Sequence, residues 1–80
     1  MKAKVTVKLK EGVLDPQAKA IFNAIKSFNI EEVQGVSMAK QIVLDFGDCN
    51  KNNAQQIATQ IAKDLLANPV IEDYSVELVD

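Results

Sequence analysis

The sequence predicts an α+β fold: a two-layer sandwich with two helices on one face of a small antiparallel sheet, in the order strand, helix, long strand, helix, strand. Three observations lead there. The two ends of the chain alternate apolar and polar residues with period two, and so does its middle. Between them lie two stripes of apolar residues at three- and four-residue spacing. The length, 80 residues, leaves room for a single domain spanning residues 1–80, with no linker or repeat visible.

Residues 2–10 place Ala3, Val5, Val7 and Leu9 on one face and Lys2, Lys4, Thr6, Lys8 and Lys10 on the other, so the first strand is half-buried with a basic outer face. After Glu11-Gly12-Val13-Leu14, Asp15 before Pro16 reads as an N-cap with proline at the first helical position, where its missing N–H costs nothing. Ala18, Ile21, Phe22, Ile25 and Phe28 form the apolar stripe of the first helix, and Asn29 is placed to end it in the left-handed conformation.

Over residues 33–46 one register reads Val36, Met38, Lys40, Ile42, Leu44 and Phe46, broken only by Lys40 and closed by Gly47. Ala39-Lys40 lacks the residues of a tight turn, which favours one long strand over a hairpin. If the segment were two strands, the order would become that of a ferredoxin-like βαββαβ domain. Fourteen extended residues span about 46 Å, whereas a compact chain of this length is roughly 30 Å across. Part of the strand must therefore overhang, and a second subunit is the economical partner for its backbone. Val36, Met38, Lys40 and Ile42 become interface candidates on this argument.

The polar stretch of residues 48–53 offers several N-caps for a second helix, whose stripe reads Ala54, Ile57, Ala58, Ile61, Ala62 and Leu65. Asn68-Pro69 stops it. In the last segment Val70, Tyr74, Val76 and Leu78 alternate with Ile71, Asp73, Ser75 and Glu77, giving an acidic outer face suited to lie beside the basic first strand.

Composition excludes more than it names. The chain has nine lysines and no arginine against eleven acidic residues, a net charge of −2, so a nucleic-acid partner is not expected. It has no histidine and one cysteine, which removes the usual general base and any internal disulfide. No apolar run reaches the roughly 20 residues of a membrane span, and the lysine-interrupted start does not read as a signal peptide, so a cytoplasmic location is expected. Asp15 reads as a cap before it reads as a base, although its loop also makes it an interface candidate. Cys49 has no histidine to activate it. Glu31-Glu32 and Glu72-Asp73 lack the spacing of a calcium loop, and three glycines form no phosphate-cradling loop. These residues describe a small α+β domain that self-associates, with no catalytic, cofactor or metal site expected in the chain.

Leu9-Lys10-Glu11-Gly12-Val13-Leu14-Asp15-Pro16-Gln17 and Leu65-Leu66-Ala67-Asn68-Pro69-Val70-Ile71-Glu72-Asp73-Tyr74 resemble the PurS family, the small subunit of phosphoribosylformylglycinamidine synthase. Glu32-Val33-Gln34 and Lys40 fit the same pattern, so the resemblance runs the full length. It implies a dimeric, non-catalytic subunit, as a homodimer or tetramer, that brings together a synthase subunit, PurL, and a glutaminase, PurQ, and supports ammonia transfer between them. The complex so implied uses ATP, magnesium and glutamine, with no cofactor held by this chain. Ala18, Ala39 and Phe28-Asn29 depart from a usual Gly, a frequent Gly and a common Leu-Gly respectively. An ACT-like regulatory domain that binds a small molecule is the alternative, and it leaves the second motif unexplained.

Overall fold

In the computed structural model, which describes residues 1–79, a central strand β1 (Lys2–Leu9) is flanked by β2 (Ala39–Asp45) and β3 (Glu72–Val79), both antiparallel to it. Helix α1 (Pro16–Ser27) joins β1 to β2, and α2 (Lys51–Ile61) runs on through a π turn (Ala62–Leu66) towards β3. The order and the antiparallel sheet are those expected.

The strand registers follow the period-two reading. Val5 faces Ile42 on one side and Val76 on the other, and Ala3 faces Leu44 and Leu78. These rows share the face that α2 covers, where Val5, Val7, Ala62 and Ala67 are buried against Ile42, Leu44, Leu66 and Val76. Alanines at 54, 58 and 62 are fully buried and let the helix approach the strands closely. The same choice keeps the core small: among the described residues the largest fully enclosed side chains are Val5 and Val7. On the opposite face Lys4 lies beside Glu77 and Lys8 beside Asp73, the basic-to-acidic adjacency that the alternation predicted.

Two expectations need correction. The long strand does not extend over residues 33–46: β2 begins at Ala39 because its last partner is Lys8, after which β1 turns away at Gly12. A strand needs a ladder, and residues 33–38 have none within the chain. The two helices also differ in their cover of the sheet. Whereas α2 packs across β1 and β3, α1 makes at most marginal contact with any strand, and Ala18 is its only buried residue. The molecule is consequently 50 Å long, about twice the roughly 26 Å that eight strand residues span. Its radius of gyration is 16.1 Å against roughly 12 Å for a compact chain of this length.

Candidate interaction surface at one end of the sheet

The two stretches that carry the family resemblance, some fifty residues apart in the chain, meet at one end of the sheet. Leu9 pairs with Glu72, the Lys10 N–H donates to the Ile71 carbonyl at 2.8 Å, and Lys10 Nζ lies 3.7 Å from an Asp73 carboxylate oxygen. Each stretch is held by local hydrogen bonds. Val13 N–H donates to the Lys10 carbonyl at 3.1 Å, closing a turn whose third residue, Gly12, has φ +88°. Glycine takes that conformation without strain, so the turn depends on it. Asp15 Oδ1 accepts from the N–H groups of Gln17 at 3.0 Å and Ala18 at 3.2 Å, which starts α1 immediately after the turn. On the other stretch, Asn68 is the hub. Its side-chain oxygen accepts from Val70 N–H, its carbonyl from Ile71 and Glu72 N–H, and its own N–H donates to Glu72 Oε1 at 2.7 Å.

An open groove of about 850 Å³ runs from this end along α1. Its walls are the last residues of β1, the turn to Asp15, Ala18 and Phe22 of α1, and residues 35–38. Three of the five candidate interface residues, Asp15, Val36 and Met38, therefore line one feature. Lys40 and Ile42 do not. Ile42 is half-buried against the core cluster and serves the fold of the single chain. Lys40 stands on the α2 side of β2, opposite Val7, yet is exposed because α2 does not reach that corner. Tyr74 flanks Val7 from the other side and is also exposed.

The largest surprise is Leu65. On a continuous α-helix it would follow Ala58 and Ala62 onto the buried stripe. The π turn, in which Ala67 N–H donates to the Ala62 carbonyl at 2.9 Å, adds a residue to the last turn and rotates that line. Leu66 packs on the core instead, and Leu65 is 77% exposed. Val70, on the hydrogen-bonded Asn68 turn, is 79% exposed. Along α1, Leu14 and Phe28 are exposed at 70% and 75%, with Ile21 between them on the same line. Sequence periodicity placed Ile21, Phe28 and Leu65 on the apolar stripes of the helices and Val70 on the apolar side of the last strand, while Leu14 was read as loop. The row of Leu14, Ile21 and Phe28, spaced seven residues apart along one line, is an exposed apolar strip of the kind that contact with another chain covers.

The candidate chemical residues are placed without a constellation. Cys49 lies in the turn before α2, half-buried, and Asn50 caps that helix by accepting from Asn53 N–H at 2.8 Å. Among the described residues no three acidic or cysteine side chains gather where a metal ion would be held. No helix among them is long and apolar enough to cross a membrane.

Comparison with known proteins gives one answer along the whole chain. Residues 2–80 match the model of the family PurS, described as phosphoribosylformylglycinamidine (FGAM) synthase. The chain is similar to the PurS subunit of Bacillus subtilis, with 40% identity over 77 residues covering 96% of this chain and 90% of that one. It is 36% identical to the Archaeoglobus fulgidus PurS subunit, over 95% of each. In structure it resembles Methanocaldococcus jannaschii PurS with a TM-score of 0.82 at 36% identity, covering 99% of this chain and 98% of that one. A chain in the structure of PurLQS from Thermotoga maritima superposes with a TM-score of 0.86 at 28% identity, covering 98% and 95%. No part of the chain is left for the ACT-like alternative to explain. With its fold, its length and both of its motifs accounted for, the chain belongs to the PurS family, as a subunit of FGAM synthase in purine biosynthesis.

Proposed function

We propose that this subunit is a dimeric, non-catalytic connector. It holds the ATP-dependent synthase, PurL, and the glutaminase, PurQ, in one assembly so that ammonia released from glutamine reaches formylglycinamide ribonucleotide. ATP, magnesium and glutamine are used by those partners in the cytoplasm, and this chain binds none of them.

The observation that carries the reading is surface. The chain exposes 6006 Å², about 1,200 Å² more than the roughly 4,800 Å² expected of a compact protein of its mass. A stable interface removes about 800 Å² from each partner, so the excess suffices for a dimer and leaves more to spare. The excess lies where a partner can use it: the unpaired residues 33–38, the apolar line of α1 and the free edge of β2. Chemistry supports the same reading, since the sequence has no histidine and its single cysteine sits in a helix-capping turn. The Thermotoga maritima PurLQS structure, in which a chain of this shape is found, supports assembly with PurL and PurQ.

Mixing the purified chain with the PurL and PurQ of its own organism and separating by size tests the reading. A single species containing all three is expected when glutamine and nucleotide are supplied. Elution of this chain alone under every condition would contradict it.

A further inference from the structure

We propose that the last turn of α2 is a two-register switch, in which Leu65 and Leu66 exchange one place on the core and the Asn68 hub decides which of them is turned outward. The switch lies within this chain and does not depend on the connector role.

The buried line of α2 runs through Ala54, Ala58 and Ala62, all fully enclosed. Leu65 lies two α-helical turns beyond Ala58, on the same line, yet Leu66 packs on the core and Leu65 is 77% exposed. The cause is one hydrogen bond. Ala67 N–H donates to the Ala62 carbonyl at 2.9 Å, where an α-helix would use Leu66 N–H. Because positions 65 and 66 are both leucine, the place on the cluster of Val5, Val7 and Ala62 receives the same side chain whichever bond forms. The two registers are thus close in core volume, and a volume-conserving exchange is what a packed core tolerates best.

Chain length separates them. Closing the ring from Ala62 at Leu66 instead of Ala67 leaves one more residue to fit before Asn68, and Pro69 keeps the helix from running further. Asn68 is fixed while its hub is intact. Its oxygen atoms accept from Val70, Ile71 and Glu72 N–H, and its own N–H donates to Glu72 Oε1 at 2.7 Å. These bonds tie it to the start of β3 and, through the Ile71 carbonyl that accepts from Lys10 N–H, to the end of β1. The π form absorbs the extra residue. The α form needs the hub opened and draws Ala67 from its buried place, which leaves it a minor state of about 1–10%. A contact at the Lys10 end of the sheet that loosens the hub therefore turns Leu65 inward and Leu66 outward, and a contact that grips Leu65 keeps the hub closed.

Thermal unfolding of the full chain, at one fixed protein concentration, compares wild type, Leu65→Ala, Leu66→Ala and the double variant. With exchange, Leu65 fills the place that Leu66→Ala empties, so the melting temperature of the double variant should fall by at least twice the sum of the two single losses. A fixed register predicts a double loss equal to that sum, and this result would overturn the proposal. Methyl nuclear Overhauser contacts give a second reading. In Leu66→Ala the Leu65 methyls should contact Val5 or Val7, contacts that are minor in wild type. Glu72→Ala removes the acceptor of Asn68 N–H with both leucines in place, and it should strengthen the same contacts. Leu65 methyls that stay clear of both valines in Leu66→Ala would overturn the exchange, and contacts unchanged from wild type in Glu72→Ala would overturn the role of the hub.

Discussion

Asp15, Gly12 and Asn29 each do one local job, and each can be removed singly. Asp15 satisfies two orphan N–H groups at the start of α1, so Asp15→Ala should cost about 1 kcal/mol and lower the melting temperature by several degrees. Gly12→Ala should cost a similar amount, about 1 kcal/mol or more, because alanine is strained at positive φ. Cys49→Ser should leave melting, self-association and complementing activity unchanged, which thermal denaturation and growth of a deletion strain would check; loss of synthase activity with the fold intact would return a chemical role to Cys49. At this scale the sequence was highly legible, since caps and turns are decided by neighbours a few residues away. Asp15 caps α1 as expected, and Asn29 ends it at φ 62°, with its N–H donating to the Lys26 carbonyl. Leu65 was misassigned because the stripe was extended at 3.6 residues per turn, and nothing local announced that the last turn would be wider.

Among the elements, β1 and the registers of β2 and β3 were read correctly, because period-two alternation fixes which face each residue takes, although Val70 and Ile71, read as strand, lie in the turn before β3. The start of β2 and the place of α1 were not legible, because both depend on what lies beside them. Residues 33–38 alternate like a strand but meet no ladder inside the chain, and α1 has an apolar line with little of its own sheet to cover. Two substitutions separate these cases. Ile42→Asp places a carboxylate against the core cluster and should cost about 3 kcal/mol or more, seen as a large drop in melting temperature at any protein concentration. Val36→Asp alters the groove wall outside the sheet. It should leave the sheet formed and weaken self-association, so that melting becomes more sensitive to concentration. Identical behaviour of the two variants would show that the arm belongs to the core of the single chain.

For the whole molecule, a thin slab of 50 × 27 × 14 Å whose largest fully buried side chains, among the described residues, are Val5 and Val7 is a poor free-standing monomer. Sedimentation at micromolar concentration should therefore give at least twice the 8.8 kDa chain mass, and a stable monomer would contradict the dimer. Function was legible through resemblance alone, since a connector carries no catalytic group whose spacing could be read. On the proposed connector reading its contribution to rate is positional, and positioning is measured by giving the reaction a way around it. Amidine formation by PurL should be followed with PurQ and glutamine, and separately with a high concentration of added ammonia, each with and without this chain. The connector account predicts that omission abolishes the glutamine-dependent reaction while the ammonia-dependent reaction persists, because free ammonia bypasses the assembly. Loss of the ammonia-dependent reaction as well would contradict it, for the chain would then have to complete the synthase active site itself, with Lys40 and the turn from Glu11 to Asp15 the first residues to replace.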